Sequence, residues 1–161
     1  MALEGWHDFF VAQAGAGAAL AGLLFVALSI NIESIIKQAW LPPRAGVTIV
    51  LLLGSVIEAL IGLWPHQALL MTGLEELVTS VIVFVFTVRL TVAASRAPKQ
   101  YASGTMLSAF IVQLSAVPAL AGAIALSFDI EGGLYALAFS MLIAIIVAFL
   151  NSWVLLVEIL R

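Results

Sequence analysis

FFVAQAGAGAALAGLLFVALSINIESII occupies residues 9–36 and is apolar over nearly its whole length. A helix crossing about 30 Å of hydrocarbon takes roughly 20 residues. The stretch therefore spans a bilayer with length left for tilt or for projection beyond it. Its first half is dense in Ala and Gly, which lets another helix backbone lie directly against it. Ahead of it, Glu4 and Asp8 stand where a secretory signal carries Lys or Arg, and the apolar run is too long for a signal core. It reads as a retained first span.

Composition agrees. Of 161 residues, 64% are hydrophobic and 9% charged, and the mean hydropathy is +1.22. Soluble domains carry roughly 25% charged residues, so this chain cannot build a solvated surface, and its length suits a single domain over residues 1–161. The net charge of −3, with no basic run, argues against a nucleic-acid or polybasic lipid site. Cysteine is absent, which removes disulfides, thiolate nucleophiles and Cys-based metal sites.

Outward from the first span, Lys37, Pro42, Pro43 and Arg44 mark a loop, because paired prolines stop a helix from continuing. A second span is predicted over 47–64, with Pro65, His66 and Gln67 as a tight turn. A third covers 72–94, its first turn placing Glu75 and Glu76 at the positive end of the helix dipole. A fourth covers 105–128, kinked at Pro118, and a fifth covers 134–160 after an acidic turn at Asp129 and Glu131. The alternation of a membrane barrel is missing. The expected fold is an all-α, five-span transmembrane bundle.

Short cytoplasmic loops collect Lys and Arg. With the N-terminus outside and the C-terminus cytoplasmic, Lys37, Arg44, Arg96, Lys99 and Arg161 fall inside, with Arg89 near the same end. Glu4, Asp8, Glu75, Glu76, Asp129 and Glu131 then fall outside. A four-span reading, with residues 64–92 re-entrant, puts Arg44 and Arg96 on opposite faces and breaks the bias. Five spans in a bacterial inner membrane is the reading retained.

Few residues stand out within the spans. At about 100° per residue, Ala14, Gly15, Ala18, Ala19, Gly22, Ser29 and Glu33 share one face of the first span. Gly15/Ala19 and Ala18/Gly22 are small residues four apart, expected to pack inside the monomer. Gln13, Leu20, Leu24, Asn31 and Gln38 lie opposite. Gln13 and Asn31 make polar contacts within the bundle on one reading, and line a pore or subunit interface on the other. Glu58 is the sharpest anomaly, since an acid among lipid tails is expensive and turns toward partners. It is read either as a carboxyl bonded to a neighbouring helix or as an ion or proton site reached from outside. Glu33 and Arg89 lie at similar depth and form a candidate ion pair, Arg89 otherwise snorkelling to lipid phosphates. Glu158, with Asn151 and Ser152, is placed at an interface.

Outside, His7, Asp8, His66, Glu75 and Glu76 are metal-ligand types whose spacing fits no metal motif, so no metal or other cofactor is expected. Trp6, Trp40, Trp64 and Tyr101 fall where aromatic-belt anchors belong, and Trp153 fits less neatly. No GxSxG elbow, HExxH, P-loop or dinucleotide fingerprint is present, so no catalytic residue is assigned.

Three segments carry a resemblance: AGAGAALAGLLFVALSINIE at 14–33, LPPRAGVTIVLLLG at 41–54 and LWPHQ at 63–67. With the paired Phe9 and Phe10, they resemble a family of small bacterial multi-span membrane proteins. Its shared features are an Ala/Gly-rich first span ending in ALSINI and an LPxRA loop. The resemblance covers roughly the N-terminal 65 residues and implies a membrane bundle. Some members carry the label of modulators of a membrane-anchored AAA protease, and the resemblance brings no functional residue with it.

The sequence thus points to a small non-enzymatic integral membrane protein that self-associates, with an accessory role in a membrane complex. Its expected partners are the bilayer, further copies of itself and another membrane protein, with no nucleic acid. The alternative is an oligomeric channel or ion or proton pathway using Glu58, Gln13 and Asn31. A lipid-modifying enzyme ranks third, since only the sparse outer His and acids offer it chemistry.

Overall fold

The computed structural model describes residues 2–95 and 102–159, with side chains described for 3–95 and 109–153. The expectations for Arg96, Lys99, Tyr101, Glu158 and Arg161 fall outside the described side chains. A 3-10 turn at Ala2–Trp6 leads into α1 (His7–Ile30). There follow α2 (Ile32–Ile36), α3 (Leu41–Gly62), α4 (Leu69–Ala94), α5 (Ala102–Ser127) and α6 (Gly133–Ile159). Five helices are long and apolar enough to cross a membrane, which makes this a multi-pass membrane protein, and the described residues contain no strand.

Local chemistry sets the boundaries. The first span is not one helix to residue 36. The Asn31 side-chain nitrogen donates to Ala27 O at 2.8 Å while its backbone N–H reaches the same carbonyl at only 3.3 Å. This side-chain competition for a helix carbonyl ends α1 at Ile30, and α2 restarts beyond it. Pro42 and Pro43 open α3 rather than merely separating spans, because the first helical positions have no N–H bond to lose. The start of α4 at Leu69 lies ahead of the expected residue 72, which moves Glu76 into the body of the helix. Asp129 closes α5 with φ of 61°, a left-handed position that Asp tolerates. Around it the Ile130 N–H bonds Ala125 O and the Asp129 N–H bonds Leu126 O, the paired reverse bonds of a Schellman stop.

α3, α4, α5 and α6 form a closed ring, each packed on the next and α6 back on α3. α1 lies outside the ring, along α3 and lightly on α6. One end of the bundle is acidic, where His7, residues 63–69, Asp129 and Glu131 surround one basin. Arg44 lies at the other end, at the start of α3.

The small-residue seam is not where the sequence placed it. Gly15, Ala18, Ala19 and Gly22 face out of the chain, and a methyl added to Gly15 or Gly22 would meet nothing within 4 Å. The face of α1 that packs holds Phe10, Gln13, Gly17 and Leu24. The backbones that approach closely belong to α4, α5 and α6. A methyl on Gly73 would run into the backbone of Leu126 and Ser127, and one on Gly122 would stand 2.7 Å from Gly133 O. Ser115 and Ser140 donate to each other's backbone carbonyls, at 3.3 and 2.8 Å, and clasp α5 to α6.

Candidate functional site

The ring interior is layered. Toward the acidic end, α3 presents Glu58 and Ser55, and α4 presents Thr72, Glu76 and Ser80, all buried. Glu58 and Glu76 are close enough for their charges to act on one another. Ser80 Oγ donates to Glu58 Oε1 at 3.5 Å. Glu76 is 0% exposed, and neither of its carboxyl oxygens has a hydrogen-bond partner. No Lys, Arg or His among the described residues pairs with either carboxyl.

Glu58 thus lies inside the bundle, as its cost in lipid dictates, and Ser80, which donates to it, stands one turn from Glu76 on the same face of α4. Sequence reading gave Glu76 to the outer surface. The signal that finds it is spacing, since Thr72, Glu76 and Ser80 recur every fourth residue and make one polar stripe of α4.

Gln13 belongs to this buried layer and makes its polar contacts within the bundle. Its amide nitrogen donates to Ser55 Oγ at 2.7 Å and to Met141 O at 3.1 Å, tying α1 to α3 and α6. Asn31 is spent on its own helix. Glu33 and Arg89 are both exposed and make no ion pair. They sit on α2 and α4, each of which packs on α3.

Above the carboxyl pair, an open basin of about 790 Å³ is lined by Glu4, His7, Asp8, His66, Asp129 and Glu131 with the turn joining α3 to α4. Its floor includes Gly62, against which the Phe10 ring lies. Gln67 lines the basin, donating to Glu75 Oε2 at 2.7 Å and accepting from Thr72 Oγ1 at 3.3 Å. His66 holds φ of 59°, which fixes the turn that carries this amide. Among the described residues no three His, Cys, Asp or Glu gather as a metal site.

Below the pair, Leu51, Val83, Val112, Ala144 and Val147 fill the ring with an apolar layer. The buried hydroxyls at this depth turn back on their own helices, Thr48 to Arg44 O and Thr87 to Phe84 O. Beyond it lies a small pocket lined by Trp40, Arg44, Thr91 and Asn151. Trp40 and Asn151 are both buried, Trp40 against Ile35, Leu41 and Ala45. Trp64, by contrast, is exposed.

Fold and interior together define a multi-pass membrane protein of five spanning helices with paired carboxyls buried in its bundle. No family model, curated protein or solved structure matches this chain.

Proposed function

We propose that this chain is a non-enzymatic membrane protein that takes up a proton or small cation at Glu58 and Glu76, on a path entered from the acidic basin. The carboxyl pair carries this reading. Two ionised carboxylates held together away from water repel and are poorly solvated, so the pair is suited to hold positive charge between them. Ser80 and the Gln13–Ser55 contact supply the adjoining polar groups. In liposomes, the purified protein should pass protons or a monovalent cation down a gradient. Glu76→Gln and Glu58→Gln should each lower that flux about tenfold or more. Absence of wild-type flux under every such gradient sinks the reading.

The orientation that fits this path puts the acidic basin outside a bacterial inner membrane, with Lys37 and Arg44 cytoplasmic, following the charge bias of membrane loops.

A second reading rests on the outward small face of α1. Gly15, Ala18, Ala19 and Gly22 offer a surface on which a helix of another copy or of a partner complex can pack closely. Ala18→Leu with Gly22→Leu should leave the folded chain intact and abolish crosslinked oligomers in lipid. A wild type that is purely monomeric there removes this reading.

A further inference from the structure

α4 turns apolar side chains outward and polar ones inward. Leu74, Val78, Ile82, Phe86 and Val92 are exposed on its outer side. The inward stripe runs Thr72, Glu76, Ser80, Val83, Thr87, Thr91, recurring every three or four residues along one face. It is polar at every place but one. A helix that only packed against dry neighbours would gain nothing from such a face, because polar groups are costly in an apolar interior unless they are paired.

The stripe continues past the carboxyl pair. Thr87 donates its hydroxyl proton to Phe84 O at 2.9 Å, and Thr48 of α3 does the same to Arg44 O at 3.3 Å. Both keep oxygen lone pairs free to accept, and oxygen is the ligand that hard cations take. At the far end Thr91 and Asn151 line a pocket of about 20 Å³, where the Thr91 hydroxyl is buried without a hydrogen-bond partner. A water needs roughly 10–15 Å³ of such space, so the pocket has room for one.

Val83 interrupts the stripe. It is buried against Gly54 of α3, where an added methyl would stand 2.5 Å from Val83 Cγ2. One valine seated on bare backbone therefore closes α4 onto α3. Ser55 and Ser80 stand on the acidic-end side of this contact along their helices, and Thr48 and Thr87 on the basic-end side.

We propose that α4 lines the whole path, that Val83 on Gly54 is its gate, and that Thr87 and Thr91 are the polar stations beyond it. The inference rests on uptake of a proton or small cation at Glu58 and Glu76, and adds where that charge goes next.

Val83→Thr is nearly isosteric and completes the polar stripe. In liposomes it should raise proton or monovalent-cation flux about tenfold over the wild type. Adding Thr87→Val should cut that raised flux severalfold, and no cut removes the stations beyond the gate. Wild-type flux left unchanged by Val83→Thr overturns the gate while the uptake reading stands. Flux in Val83→Thr but not in the wild type supports the gate and sinks native uptake. A second measurement needs no flux. In oriented liposomes, Thr87→Cys in this cysteine-free chain should react with silver ions added from the basin side at least tenfold faster when Val83 is also Thr. Equal rates overturn the gate even in a protein that does not conduct.

Discussion

Glu58 and Glu76 differ in one respect that explains why only the first was visible as a buried acid. Glu58 interrupts an apolar run well inside any plausible span, whereas Glu76 sits close to a boundary that Pro65 and Gly73 made look later than it is. A shift of a helix start by three residues, from 72 to Leu69, converts a surface acid into a core one. Gln13 was legible as unusual and illegible in direction, because the residues around it on α1 are apolar on every side. Its contacts now separate it from Asn31. Gln13→Leu should destabilise the folded state by about 1 kcal/mol in a micellar unfolding titration, the scale of an interhelical bond in a membrane protein. Asn31→Leu removes only a bond within its own helix and should change stability by less than about half that. Equal losses would remove the assignment of Gln13 as the tie between α1 and the ring.

At the scale of helices, the existence of every span was readable from length and hydropathy, and the packing faces were not. In water, a helix declares its buried side through contrast. In lipid the exposed side is as apolar as the core, so the small-residue pattern of α1 had nothing to orient it. The close contacts instead fall at Gly73, Gly122 and Gly133, single glycines without a repeating motif. Gly73→Ala forces a methyl onto the backbone of α5 and should cost about 1–3 kcal/mol of stability. Gly15→Ala, on the open face of α1, should be neutral or slightly stabilising by helix propensity. The same unfolding titration checks both, and a Gly73→Ala variant as stable as the wild type contradicts the α4–α5 contact.

For the whole molecule, α1 is an outrigger on a four-helix ring, joined through Phe10 on Gly62 and through Gln13. The polar interior belongs to that ring, so the proposed path runs within a single chain. The native chain lacks cysteine, which makes its orientation simple to read. In inner-membrane vesicles of known sidedness, Asp129→Cys should react with a membrane-impermeant maleimide from the periplasmic face, and Ser95→Cys from the cytoplasmic face. The opposite pattern reverses the proposed topology while leaving the bundle unchanged.

The apolar layer of Leu51, Val83 and Val112 also sets what a charge on the proposed path would meet. Polar groups stand on both sides of it, with the carboxyl pair on one and the Arg44 and Asn151 pocket on the other. A cation taken up at the pair, as proposed, has to cross this layer to leave at the far end, and there it meets the cost of placing charge in an apolar medium. A unit charge crossing 100 mV exchanges about 2.3 kcal/mol. On the proposed path these aliphatic side chains are the insulating gap.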